Sequence, residues 1–206
     1  MGQLNHFKSV DVATRPEGNR EGKGANGFLT DWHLSEPLGV VAKPRRQLLA
    51  ELFTSMLILS ATFKFRPVVG AKNYLYWING EWSLSLIAPD EWSRERRAGF
   101  AGACVLQRDM TWTIAPSDLL ADENPVSDAI RQFSEAFTWM LDSDLRLEEI
   151  LPFYDGRIPY YQRLYANALS RSITAAMTLG DQASTRCRQW YMLLPQLHNV
   201  LPVYRG

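Results

Sequence analysis

The sequence predicts an α+β fold in which an antiparallel β-meander of about five strands packs on one helix and is followed by a helical C-terminal half. Three observations predict it. Apolar residues recur at helical spacing over 44–61, the period then switches to two over 63–114, and beyond Pro116 the strand signal fades while helix signals return.

The first segment, 1–27, is expected to be a flexible arm. Its stretch SVDVATRPEGNREGKGANG contains no Leu, Ile, Phe, Tyr or Trp, so it has little apolar surface to offset the entropy of ordering. Gly22 to Gly27 spell G-x-G-x-x-G, but a dinucleotide site requires a hydrophobic strand before that motif, and the preceding residues are polar.

Residues 28–116 are expected to form a helix plus β-meander unit. Pro44 suits the first turn of a helix whose apolar positions include Leu48, Leu49, Leu52, Phe53, Met56, Leu57 and Leu59. Glu51 interrupts the run, which is also too short for a membrane span and reads as a core helix. Phe63 and Phe65 alternate with Lys64 and Arg66 as a first strand that ends by Pro67. Asn79-Gly80 predicts a type I′ hairpin, because both central residues of that turn need positive φ. The turn sets the register. Ile78 faces Glu81, Trp77 faces Trp82, Tyr76 faces Ser83, Leu75 faces Leu84 and Tyr74 faces Ser85. One face then collects Leu75, Trp77, Trp82, Leu84 and Leu86, and the other Tyr74, Tyr76, Ser83 and Ser85. Two more strands, 100–107 and 110–114, follow and are joined near Arg108-Asp109.

Residues 117–206 are expected to be helical and packed on the meander. Ser127 is positioned to cap one helix, Pro159 opens a second that Gly180 ends, and a third is expected from Asp181 to about Leu194. Charge divides unevenly here, with ten acids and two bases over 117–155 against one acid and six bases over 156–206. Attraction between the exposed flanks of neighbouring helices accounts for this; an acidic surface offered to a basic partner is the other reading.

Composition removes several classes of function. The chain has 22 basic and 22 acidic side chains, so no global field recruits nucleic acid or an acidic membrane. Cys104 and Cys187 lie in no zinc or redox spacing and are expected to be buried thiols in the cytoplasm. The N-terminus has neither a basic n-region nor an apolar run, as a secretory signal would need. Three scattered histidines give no metal-ligand motif, and neither a G-x-S-x-G elbow nor a phosphate loop is present. No metal and no cofactor are expected.

Carboxylates are the remaining chemical possibility. In DSDLRLEE the acids read as a solvated flank, whereas Asp90-Glu91-Trp92, at the exit of the hairpin, places an acid beside an aromatic wall. The tyrosine face is read either as buried under the C-terminal helices or as a binding surface, because Tyr combines large area, small entropy loss and one hydroxyl for a partner.

The segments Tyr74-Leu-Tyr76, Ser85-Leu-Ile-Ala-Pro89-Asp-Glu91-Trp92, Phe100-Ala-Gly102 and Asp109-Met-Thr-Trp112-Thr113 resemble a family known as domain of unknown function twenty-four fifty-two. The resemblance covers about residues 62–116, and Asp90 stands where the family pattern has Lys. It implies no activity, cofactor or partner, but it singles out Glu91, Trp92, Asp109 and Trp112. The resulting expectation is a cytoplasmic binding or adaptor protein for a protein or small molecule, using Tyr74, Tyr76, Ser83 and Ser85 with a rim of Glu91, Trp92, Asp109 and Trp112. One alternative is a small hydrolase or transferase with Glu91 or Asp109 as general acid or base. Nucleic-acid binding through the exposed aromatics is a weaker one.

Overall fold

A computed structural model describes residues 25–152 and 157–194. Nearly all of the expected arm lies outside the described residues, and Ala25–Leu34, where its last residues fall, is a helix, α1. Helix α2 follows at Arg45–Leu59, directly after Pro44. The sheet contains β1 (Lys72–Ile78), β2 (Glu81–Ser85), β3 (Phe100–Leu106) and β4 (Trp112–Pro116). A short helix α3, Arg94–Arg97, lies between β2 and β3. The C-terminal half supplies α4 (Pro125–Leu141), α5 (Leu147–Ile150), α6 (Tyr160–Leu179) and α7 (Cys187–Tyr191).

The hairpin folds in the register its turn dictates. All five pairs from Tyr74↔Ser85 to Ile78↔Glu81 are present, and Asn79 and Gly80 take φ of 53° and 80°. Two features of the sheet differ from expectation. The described sheet has four strands, all antiparallel neighbours, in the order β2-β1-β3-β4, so it is not a simple meander. The expected strand at Phe63 is absent, and α6 holds the chain on both sides of it: Gln162 donates to the carbonyls of Leu59 and Ala61, and the Tyr165 hydroxyl donates to that of Pro67. Only Thr62 makes a strand-like contact, a parallel bridge to Ser83 on the outer edge of β2.

The strand order follows from the β2–β3 connection. Strands β2 and β3 each run antiparallel to β1 and therefore parallel to one another, so the chain must cross over β1 to join them. The crossing occupies residues 86–99 and is too long for a hairpin loop.

A single helix does not back the sheet. Residues of α2, α4, α6 and α7 form one apolar cluster with Leu75, Trp82, Leu84, Cys104, Leu106, Trp112 and Ile114 on the inner face. Helix α4 carries Phe133 and Phe137 inward, edge-on to Phe53 of α2 at 5.3 and 5.2 Å. Its cap is Asn124, not Ser127. The Asn124 side chain accepts from the N–H groups of Val126 and Ser127, and the Ser127 hydroxyl accepts from Asn124 N–H in return. The expected last helix is reduced to α7.

Part of the charge imbalance is met inside the helical half. Arg188 of α7 reaches Asp142 and Asp144 at 3.5 and 3.4 Å, and Arg146 pairs with Glu148 at 2.8 Å. Both cysteines are free and buried, and burial raises both thiol pKa values. No helix among the described residues is long and apolar enough to cross a membrane.

Candidate binding surface

The outer face of the sheet is built from alternate strand residues. Register places Tyr74 and Tyr76 of β1 beside Ser83 and Ser85 of β2, and beside Phe100, Ala103 and Val105 of β3, with Thr113 and Ala115 of β4 beyond. Tyr74, Ser83, Ser85, Phe100, Ala103, Val105 and Thr113 are half-buried. The Tyr74 and Phe100 rings lie 6.3 Å apart. The C-terminal helices do not cover this face, since their apolar residues join the inner cluster.

Tyr76 is a correction to the sequence reading, being 0% exposed. The β2–β3 crossover passes over it and seals it. Its hydroxyl donates to the Ile87 carbonyl at 3.0 Å, and its ring meets Trp92 edge-on at 6.3 Å and Phe100 at 5.5 Å. Burial pushes the phenol up to about 12, helped by nearby Tyr74, Asp90 and Glu91 and opposed by the Trp92 indole. Tyr76 therefore holds the crossover in place and is not open to a partner. It still lies on the face opposite the inner-face indoles, outside the main core cluster.

Trp92 and Glu91 belong to the same crossover. Trp92 is half-buried against Tyr76, and the Arg96 guanidinium stacks over its ring at 4.2 Å. The Glu91 carboxylate accepts from Ala88 N–H at 3.1 Å, capping the single helical turn Pro89–Glu91. The segment is tied down further by Arg97, which donates to the Pro89 carbonyl at 3.0 Å. Where the crossover rejoins the sheet, Trp77 N–H donates to Gly99 carbonyl oxygen at 2.8 Å. A Cβ on Gly99 would stand 2.2 Å from the Trp77 carbonyl oxygen, so no larger residue fits that approach.

Asp109 and Trp112 lie elsewhere. Trp112 is fully buried on the inner face, with its backbone N–H donating to Ser55 of α2 at 2.8 Å. Asp109 sits in the β3–β4 turn, where one carboxylate oxygen accepts from the Thr111 N–H and hydroxyl at 3.1 and 2.7 Å. These bonds support Met110 at φ 64°, a conformation a non-glycine residue rarely adopts. The other oxygen meets Lys43 Nζ at 2.5 Å, and Lys43 also reaches Glu51 at 2.5 Å. Burial works against both charges, but the bonds to Asp109 and Glu51 outweigh it and raise the Lys43 pKa. On Asp109 the bonds from Lys43 and Thr111 likewise outweigh burial and lower the pKa. Asp109 is thus held ionised with its lone pairs engaged, an arrangement suited to clamping the turn on α2 and unsuited to giving up a proton.

The eight residues singled out by sequence therefore do not converge on one rim. Tyr74, Ser83 and Ser85 lie on the open face with Tyr76 sealed beneath the crossover, Glu91 and Trp92 build that crossover, and Asp109 and Trp112 serve the α2 side. Phe100 belongs to the open face too, and its pairing opposite Tyr76 could be found only once the strand order was known. Lys43 also escaped notice. Glu51, the one acid inside an apolar run, was the available sign that a cation had to lie near it. Among the described residues no group of three or more His, Cys, Asp or Glu side chains is arranged to hold a metal.

Residues 37–134 match the family model described as Protein of unknown function (DUF2452). The matched span takes in α2, the whole sheet and the first part of α4. No curated protein and no solved structure matches the chain.

Proposed function

We propose that the protein is a cytoplasmic binding or adaptor protein that takes a partner protein on the outer face of its sheet. The observation that carries this reading is the half-buried aromatic strip of Tyr74 and Phe100, flanked by Ser83, Ser85, Val105 and Thr113, on the face opposite the cluster formed with α2, α4, α6 and α7. Tyr and Phe on a rigid strand provide contact area at little entropic cost.

The sheet edges are poorer places for a partner. Thr62 already accepts from Leu84 N–H and donates to the Trp82 carbonyl on the β2 edge. On the β4 edge Ser55 takes the Trp112 N–H and Pro116 has none to offer. A partner is therefore expected to use side chains on the face and not to add a strand.

The test is native pull-down with mass spectrometry, comparing the wild type with the Tyr74→Ala/Phe100→Ala variant. Proteins that bind through this face should disappear from the variant's set while its melting temperature stays close to the wild type's. An unchanged set of captured proteins counts against the reading, as does a variant that no longer folds cooperatively.

A further inference from the structure

A cleft of about 440 Å³ opens beside the hairpin tip, lined by Trp77, Ile78, Asn79, Ser93, Glu95 and Arg96. A second hollow continues from it past Gly99 toward Pro125 and Val126 at the start of α4. The volume lies in the range of small-molecule sites, but such sites are mostly apolar and this one is mostly polar. Its chemistry is also balanced. Arg96 offers donors, Glu95 offers acceptors, and Asn79 and Ser93 offer both, while the one cation and one carboxylate cancel. Arg96 is placed before any ligand arrives, because its guanidinium is stacked on Trp92 at 4.2 Å. Trp77 also lines the cleft, and its half-buried indole is fixed by packing on Trp82 at 4.9 Å.

We infer that this cleft binds a neutral polyhydroxylated ring, a saccharide. Vicinal hydroxyls each donate and accept, and the lining holds both donors and acceptors together with a tryptophan, whose ring suits the C–H face of a sugar. A free anion would meet Glu95 as well as Arg96, so the balanced lining favours a neutral ligand over phosphate or a carboxylate. This inference is independent of the partner surface proposed above, because Tyr74 and Phe100 do not line the cleft.

The experiment is titration of the full chain at millimolar concentrations of cellobiose, maltose and N,N′-diacetylchitobiose, with phosphate, glutamate and adenosine as comparators, followed by backbone amide shifts. At least one disaccharide should give saturable shifts centred on Asn79, Gly80 and residues 93–99. Glu95→Ala and Arg96→Gln should each weaken that binding roughly tenfold or more, as loss of a hydrogen bond to a charged group does, and Tyr74→Ala should leave it unchanged. Should Arg96→Gln fail to fold, Glu95→Ala and the shift map decide. Absence of saturable shifts with all three disaccharides, tighter binding of any comparator, or undiminished binding in Glu95→Ala overturns the inference.

Discussion

The Tyr76 hydroxyl donates to the Ile87 carbonyl at 3.0 Å, joining the third strand residue from the hairpin tip to the connection that leaves the hairpin. Through this contact the β2–β3 crossover is pinned to the outer face, and half of the tyrosine pair is withdrawn from solvent. Tyr76→Phe should destabilise the protein by about 0.5–1.5 kcal/mol, since it removes the hydrogen bond to the Ile87 carbonyl. Tyr76→Ala should cost about 3–5 kcal/mol through the added cavity. Urea denaturation of the three proteins measures both differences.

Alkaline titration gives a second expectation. The Tyr76 phenol is raised from 10.0 to about 12 in the folded protein, so between those values the native state keeps a proton the unfolded chain releases. Stability is therefore full below pH 10 and falls as pH rises toward 12. Lys43, also raised, contributes in the same direction above its ordinary value of 10.5. Comparing Tyr76→Phe with the wild type isolates the tyrosine's share, and the variant should lose less stability over this interval.

The Lys43 clamp leads to a third. Lys43→Met leaves Asp109 and Glu51 as facing, partly buried carboxylates and should destabilise by about 2–4 kcal/mol, more than Asp109→Asn. Asp109 has a lowered folded pKa, so its contribution is present above 3.8 and is lost as pH falls through the folded value. In Asp109→Asn the acid limb of the stability profile should be flatter than in the wild type. Thermal melts across the acid range read this directly.

Gly99 supplies a fourth. Its Cβ would fall against the Trp77 carbonyl oxygen, which belongs to backbone and cannot turn aside. Gly99→Ala should lower stability by about 1–3 kcal/mol and disturb the amide shifts of β1 and α3 together, because the crossover must lift to make room. A variant with unchanged melting and shifts would show that the approach is looser than described.

The hairpin was legible in full because Asn79-Gly80 fixes register by itself, and a register fixes which side chains share a face. The crossover was not, although its 14 residues between Ser85 and Phe100 were too long for a hairpin and hinted that β3 would pair elsewhere than with β2. Missing that pairing hid the burial of Tyr76, because alternation says which face a residue points to but not what the chain lays over that face. The strand expected at Phe63 failed for a related reason. Two alternating residues are a weak signal, and α6, a hundred positions away, supplied Gln162 and Tyr165 to the carbonyls on either side of it. Asp109 and Trp112 have partners, Lys43 and Ser55, that come from distant sequence, so spacing could not assign them to structure or to chemistry.

The most direct measurement of the central claim is the accessibility of the two tyrosines that share the outer face. Under mild nitration, with peptides read by mass spectrometry, Tyr74 should be modified while Tyr76 is protected, and Tyr76 should become reactive only as the protein unfolds. Equal modification of both in the folded protein, or earlier modification of Tyr76, would contradict the sealed crossover and with it the placement of the proposed binding face.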